Sequence, residues 1–405
     1  MLTRYHYTLI ALCCVIAIDG MGVGLIWPLF GQLFIGKAGA IVASNTSAQV
    51  RDILYGITLA IFNVGLLLGA PLLGDLSDHI GRKKVLLIGL FGTCISYGIC
   101  TLSIIYHNVW LLFSGRLLTG ILAGCIALAQ AAIVDISGKE HKMVNLSLLA
   151  LANEVGFIAG PLLGGLLIDK NLVSFFSLTT PFVAAILLAF ANGMFLLFTF
   201  RETFTPSSDT ARQIKWSKGW DVFVAAFMRR DIRRLSTVYL CLNFGYALYF
   251  QFVVIYLIHM HHYTGAKVGY FLSSITVVAA LSFLWLVRLA KKYFSLNRTL
   301  IIFSWVAALG IGLTFWQKEI VAWICIVPFS IGTVLAYMAA LTLFSETVGP
   351  DEQGWIMGVS TAICAVGWGG SAIVAGLIGN FHTPIAFLLA SAILVVGTMI
   401  KTMNN

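Results

Sequence analysis

Apolar runs of about twenty residues recur along the whole chain, separated by short polar stretches, at approximately 8–34, 53–75, 85–106, 109–136, 145–169, 179–200, 235–260, 267–290, 297–316, 319–345, 355–378 and 384–402. Each is long enough to cross roughly 30 Å of hydrocarbon as a helix. The pattern therefore predicts an all-α membrane protein of twelve transmembrane helices, with short loops that make sequential neighbours antiparallel. The longest polar stretch is 201–234, "RETFTPSSDTARQIKWSKGWDVFVAAFMRRDIRR". It separates a first six-helix bundle (1–200) from a second (235–405). Within this linker, "TPSSD" reads as flexible, and "WDVFVAAFMRRDIRR" has the apolar and basic faces of a short helix lying on the membrane surface, although a plain tether has the same composition. Two bundles joined by a basic linker is a layout of transporters built from repeats, with the substrate path between the halves.

Composition agrees. The chain is 405 residues long, 60% hydrophobic and only 10% charged, with mean hydropathy +0.95, which leaves no room for a sizeable water-soluble domain. The formal charge of +9 could point to nucleic acid, so the placement of the basic residues decides. With both termini assigned to the cytoplasm, nineteen Lys and Arg fall on the cytoplasmic side and five on the other, with Arg116 left inside a span. That asymmetry sets orientation and touches anionic lipid, and no nucleic-acid partner is needed to explain it. The eight cysteines all fall in apolar spans without metal-ligand spacing and read as small buried residues. The first apolar run carries Asp19 and lacks a persuasive cleavage site, so it is expected to remain as a helix.

Charge inside a span is rare and expensive, and usually faces a cavity or a partner. Asp19, Arg116 and Glu154 lie in spans one, four and five of the same half, which implies a shared polar pocket. A carboxyl whose surroundings alternate between apolar burial and a nearby arginine can take up and release a proton near neutral pH. Asp19 and Glu154 are thus the proton candidates and Arg116 their switchable counter-ion; a static ion pair that only stabilises the half is the alternative. In span five, Gly156, Gly160 and Gly164 repeat every four residues beside Pro161 and Gly165, a bare stripe on which another helix can pack backbone to backbone. Polar residues Asn63, Gln130, Asn153, Asn243, Tyr246, Tyr249, Gln251, Tyr337 and Trp368 are candidates for lining a substrate cavity. Among them Asn243, Tyr246 and Tyr249 step by three along one face of span seven. "HMHHY", carrying His259, His261 and His262, lacks a paired acid and reads as solvated loop rather than a metal site.

"GDLSDHIGRKK" (74–84) sets a knot of charge between spans two and three. Gly74, Leu76, Ser77, Asp78, Gly81, Arg82 and Lys83 resemble the loop signature of the major facilitator superfamily, and four further stretches resemble its twelve-span drug:proton antiporter branch, which includes the tetracycline efflux proteins. These are "IDGMGVGLIWPLF" (18–30), "GRLLTGILAG" (115–124), "GFIAGPLLGG" (156–165) and "RET" (201–203). The resemblance covers essentially the whole chain. It implies the major facilitator fold, a monomer in a bacterial-type inner membrane, and no cofactor beyond the coupling proton. It also implies a cytoplasmic latch in which Asp78, Arg82 and Asp135 dock against the start of span eleven near Gly354 and Trp355. The fifth-helix segment would seal the halves on the far side and favour export over uptake. Tetracycline exporters carry acids in spans three and nine where this chain has Ser96 and Ala307, so tetracycline is not the expected substrate. The expected function is proton-coupled export of a small organic molecule by alternating access. A proton-coupled importer, or a dedicated siderophore or metabolite transporter of the same fold, is the alternative. An enzyme is not expected, since no nucleophile stands with a base or metal-ligand run.

Overall fold

The computed structural model describes residues 2–36, 41–43, 45–137, 142–203, 218–349, 352–379 and 383–403, with residues 2–6, 125, 134, 135, 142–144, 146, 147, 353, 354 and 383 placed by backbone alone. The described residues are helical and contain no strand. In chain order the helices are α1 (Leu2–Phe34), α2 (Ala48–Ile80), α3 (Arg82–Ile105), α4 (Val109–Leu122), α5 (Cys125–Ile136), α6 (Lys142–Leu166), α7 (Thr180–Thr199), α8 (Lys218–Met228), α9 (Arg233–His261), α10 (Gly265–Leu281), α11 (Val287–Tyr293), α12 (Leu296–Leu313), α13 (Glu319–Glu346), α14 (Gln353–Ile378) and α15 (Thr383–Thr402). Span four is α4 and α5 with a break at Ala123 and Gly124. Span eight is α10 and α11 joined by a π-helical turn, Ser282–Leu286. Twelve helical stretches are long and apolar enough to cross a membrane, so the chain is a multi-pass membrane protein.

Several spans begin on polar caps that the hydropathy pattern alone passes over. Ser47, Asn108, Thr264 and Ser295 each accept a backbone N–H from three residues on. The Ser47 cap starts α2 five residues earlier than the apolar run, which places Asp52 inside the helix, fully buried.

α1 packs on α6 and α7, α2 on α4, and α3 on α4 and α7; in the second half, α9 packs on α14 and α15, and α12 on α13 and α15. The halves meet chiefly through α2 with α14 and α6 with α10. Glycine lets these helices approach closely, and proline adds a specific bond. Pro161 has no N–H to give the carbonyl of Phe157, and Thr276 Oγ1 of α10 donates to it instead (3.3 Å), while Ser273 Oγ donates to the Ile158 carbonyl (2.9 Å). The stripe Gly156, Gly160 and Gly164 packs against α1 within its own half; Pro161 and Gly165 are the members that meet α10, at Gly269, Gly265 and Ala266.

α8, the one helix among the described residues of the linker, touches α2, α9 and α14, so it spans both halves. Lys218 pairs with Asp75 on α2, and Arg229 makes two hydrogen bonds to Glu352 (2.7 and 2.9 Å) with its guanidinium 4.8 Å from the Trp355 ring. Gly219 of α8 sits against the Leu67 carbonyl, which Pro71 leaves without its helical donor.

Candidate functional site

Between the halves lies a small cavity of about 50 Å³, lined by Trp27, Tyr55, Leu59, Phe62, Asn63, Arg116, Phe250, Gln251, Val254 and Trp368. Its walls are mostly aromatic and come from both bundles. Trp27 stands 4.6 Å from Phe250 and 5.8 Å from Trp368, and Phe157 closes on Trp27 from α6 at 6.4 Å. Arg116 is 1% exposed, with its guanidinium 4.8 Å from the Phe30 ring and 4.6 Å from the Phe62 ring. Cation–π contact is what these faces can offer a charge that water does not reach. Its Nε and Nη1 have no hydrogen-bond partner among the described residues.

The polar neighbours in this wall are already engaged with backbone. Asn63 Nδ2 donates to the Leu59 carbonyl (3.0 Å), Gln251 Nε2 to the Trp368 carbonyl (3.1 Å) and the Tyr55 hydroxyl to the Gln251 carbonyl (3.2 Å). Sequence reasoning finds Asn63, Gln251, Arg116 and Trp368 here. It misses Trp27, Phe62 and Phe250, because an aromatic residue in an apolar span gives no sign of which way it faces.

Two of the three intramembrane charges, Asp19 and Arg116, are brought near a common side chain without pairing. Asp19 is half-buried on α1 and Glu154 half-buried on α6. Tyr97 of α3, itself buried, lies within electrostatic reach of both Asp19 and Arg116. No Asp19–Arg116 ion pair is present among the described residues. Glu154 looks the other way: it acts electrostatically on Tyr337 of α13, which pairs with Tyr239 at a ring distance of 5.9 Å. Asn153 lies against Gly20 of α1, its Oδ1 buried and without a hydrogen-bond partner among the described residues. Gln130 is exposed on α5.

The face of span seven formed by Asn243, Tyr246 and Tyr249 turns into the second half's own core instead of this cavity. Asn243 Nδ2 donates to the Tyr239 carbonyl (2.9 Å) and its Cβ lies against Gly367, and Tyr249 packs 4.4 Å from Phe329 and 5.7 Å from Phe387. The physical reason is the neighbourhood of α9. It is flanked by α14 and α15 of its own half, so a face three residues round belongs to the bundle, and the adjacent face carrying Phe250, Gln251 and Val254 meets the other half.

The charged loop is held locally. Asp78 pairs with Arg82 one turn on (2.6 Å), and Arg82 also reaches Ser77 Oγ. Gly81 adopts φ +100°, which glycine alone takes without strain. Its would-be side chain would strike Glu202 of the "RET" segment, whose two carboxylate oxygens accept the backbone N–H groups of Arg82 (2.8 Å) and Lys83 (3.1 Å). Glu202 therefore caps the N-terminus of α3, where the helix dipole favours an anion. Lys83 Nζ donates to the Leu197 carbonyl (2.8 Å). Gly74 faces open space. Asp135 lies on α5, its side chain outside the described residues, and Gly354 is placed by backbone alone on α14. Trp355, at the start of span eleven, is met by Arg229, which follows α8.

On the side away from the termini the halves are pinned. His259 Nε2 lies 3.2 Å from the carboxylate of buried Asp52, Gln32 Nε2 donates to the Tyr263 carbonyl (3.0 Å), and Gly31 lies against Val254 and Ile258. His259 is thus an inter-half contact, where the sequence suggested a solvated loop. No cluster of three metal-type ligands occurs among the described residues.

This arrangement is that of a known family. The Major Facilitator Superfamily pattern matches residues 12–372. The chain belongs to the major facilitator superfamily. The tetracycline resistance protein, class C, of Escherichia coli is 28% identical over 376 residues, covering 90% of this chain and 87% of that protein. Its class E counterpart, also from Escherichia coli, is 34% identical over 189 residues, 45% of this chain and 42% of its own length. Multidrug resistance protein 1 of Bacillus subtilis (strain 168) is 23% identical, covering 97% of this chain and 95% of its own. The fold matches the human organic anion transporter MFSD10 (TETRAN) with a TM-score of 0.74 at 18% identity, covering 98% of this chain and 99% of that one. It matches a D-xylose-proton symporter with the same TM-score at 15% identity, covering 98% of each. This major facilitator protein is therefore a membrane-embedded transporter of small molecules. At the two positions where the sequence departs from the tetracycline pattern, Ser96 is buried in a hydroxyl pair with Thr119 (3.0 Å) and Ala307 is fully buried.

Proposed function

We propose that this transporter is a proton-coupled antiporter that exports a small organic molecule by alternating access, without a cofactor, as a monomer in a bacterial cytoplasmic membrane with both termini in the cytoplasm. The observation that carries the reading is the opened charge set: Arg116 is buried beside Tyr97 with donors unused, while Asp19 lies within reach of the same tyrosine and is not paired to it. A buried charge left without a counter-ion is strongly destabilising, which supports a cycle whose other states supply one. Protonated Asp19 gives Arg116 no counter-ion; ionised Asp19 draws it across. Glu154, facing Tyr337 in the other half, is the second proton carrier, placed where a proton can report on the separation of the bundles. The antiport direction follows the tetracycline and multidrug resistance relatives, and the orientation follows the basic asymmetry.

Each proton entering under a membrane potential of about 100 mV contributes roughly 2.3 kcal/mol, enough for about a 50-fold gradient of a neutral substrate. The test is efflux of a panel of dyes and organic acids from proteoliposomes under an imposed pH gradient, comparing the parent with Asp19→Asn and Glu154→Gln. Gradient-driven flux is expected in the parent, with uncoupled or abolished flux in the variants. Flux that ignores both the gradient and the substitutions would reduce the charge set to a structural feature and make the protein a facilitator.

A further inference from the structure

The cavity is chemically one-sided. Of its ten lining residues Arg116 alone carries a charge, and no carboxylate contributes to the wall. Asn63, Tyr55 and Gln251 each donate one hydrogen bond to a backbone carbonyl. The guanidinium of Arg116 is 1% exposed and lines the space with Nε and Nη1 unused. A cation entering here would meet like charge and no counter-charge, and a neutral guest would leave the guanidinium unsatisfied. An oxyanion supplies both the missing charge and the missing acceptors, and a hydrogen bond between ions is among the strong ones.

The rest of the wall selects what the oxyanion is attached to. Trp27 from the first half and Phe250 and Trp368 from the second stand within 6.0 Å of one another, ring to ring, and Phe62 flanks the guanidinium. The three rings, drawn from both bundles, touch one another here, and on parting they would offer their faces to a flat apolar body. At about 50 Å³ the space is small for a ring system. The flat body takes its place as Trp27 parts from Phe250 and Trp368, so occupancy is tied to the separation of the halves.

We propose that the substrate class is an aromatic monoanion, a planar ring system bearing a single carboxylate or sulfonate, held with its oxyanion on Arg116 and its ring between Trp27, Phe250 and Trp368. This rests on the transporter reading above and narrows it.

The experiment is calorimetric titration of the full chain in zwitterionic nanodiscs, without any gradient, using 2-naphthoate, its neutral isostere 2-naphthamide, the cation 2-naphthylmethylammonium, and acetate as an oxyanion without a ring. Because a charge-assisted hydrogen bond contributes more than a neutral one, 2-naphthoate should bind at least about 10-fold tighter than the amide. The ammonium and acetate should bind weakest. Arg116→Gln should abolish the preference for the carboxylate and Arg116→Lys should keep part of it, while Trp368→Leu should weaken carboxylate and amide alike. The proposal is overturned if the amide or the ammonium binds as well as the carboxylate, or if Arg116→Gln leaves the preference intact. Should Arg116→Gln not fold, the parent's ranking of the four probes and Trp368→Leu decide alone. Repeating the titration with anionic lipid separates a free acid from a lipid headgroup: competition by the lipid would assign the guanidinium to lipid and overturn the proposal. Bound naphthoate whose flux ignores a proton gradient would sink the antiport reading and leave this one standing. Gradient-driven flux of dyes that naphthoate does not inhibit would do the reverse.

Discussion

On the side of the membrane away from the termini, Gly56 of α2 meets Gly376 of α14 backbone to backbone, Gly379 sits on the Asp52 carboxylate, and His259 crosses to that same carboxylate. On the side that carries the termini, Gly74 and Gly358 of the same two helices have no other group within 4 Å of where a side chain would begin, and Asp78 and Arg82 hold one another within their own half. One pair of helices thus forms a sealed seam at one end and a parted one at the other, with Asn63 and Gly369 near the point of divergence. The difference teaches that glycine does two separate jobs along the seam. Where it is in contact it is needed now; where it faces space it is needed only in another conformation.

The largest effect should come from filling the sealed end. A side chain at Gly56 would begin 3.1 Å from the Gly376 Cα. Overpacking costs about 2 kcal/mol, so Gly56→Leu should shift the balance against this conformation by roughly 30-fold. Spin-label distances between the outer ends of α2 and α14 should gain a longer population and transport should collapse. Gly74→Leu, at the parted end, should leave the distance distribution as in the parent and still stop transport, because closure there is then obstructed. Equal effects of the two on the resting distances would break the comparison.

Next in size is the His259–Asp52 contact that pins the sealed end. Asp52 is fully buried and His259 about a third exposed, so Asp52→Asn should cost about 1–3 kcal/mol, less than a pair buried on both sides. The seam should open more readily, read as faster hydrogen exchange at the start of α2 and the end of α9. An unaltered exchange pattern would show that the glycine contacts alone hold the seam.

A third test concerns the parted end, where order is local. Glu202→Ala removes the acceptor of two N–H groups at the start of α3 and should cost about 1 kcal/mol. Thermal stability should fall by a small amount while the outer spin-label distances stay put. A change at the outer seam would mean that the loop between α2 and α3 already speaks to the far side in this conformation.

Much of this was legible in the sequence. Twelve spans, the linker, the glycine stripe and the intramembrane charges follow from hydropathy and spacing, because a bilayer forces each crossing to satisfy its backbone as a helix. What escaped is direction. Asp52 lay just outside the apolar run, and only the Ser47 cap betrays that the helix starts before it. Tyr246 and Tyr249 were on a polar-looking face that packs inward to its own bundle. Glu202 was visible as part of "RET", but its acceptors find their donors 120 residues away in the chain. Long-range partners of this kind depend on how whole helices stack, which local periodicity does not encode.

The smallest expected effect lies in the linker, and it tests whether α8 is a strap or a passenger. Hydrogen bonds from Arg229 hold the Glu352 carboxyl below the usual glutamate range, and the same pair raises Arg229. A depressed carboxyl contributes fully above its unfolded value of about 4.3 and loses that contribution as pH falls through its lower folded value. Arg229 stays charged throughout, so the window is set by Glu352 alone. Both side chains are more than a third water-exposed, where salt screens such pairs and their worth is small. Glu352→Gln should therefore speed hydrogen exchange of α8 by less than about threefold at pH 7. Parent and variant should converge once the pH is well below the glutamate range, since both then carry a neutral side chain against Arg229. No difference even at pH 7 would mean the contact works through packing of Arg229 on Trp355 and not through the charge. α8 would then be fastened to the second half by its stacked guanidinium, while Lys218 and Gly219 fasten it to α2, and the strap would hold at any pH the membrane meets.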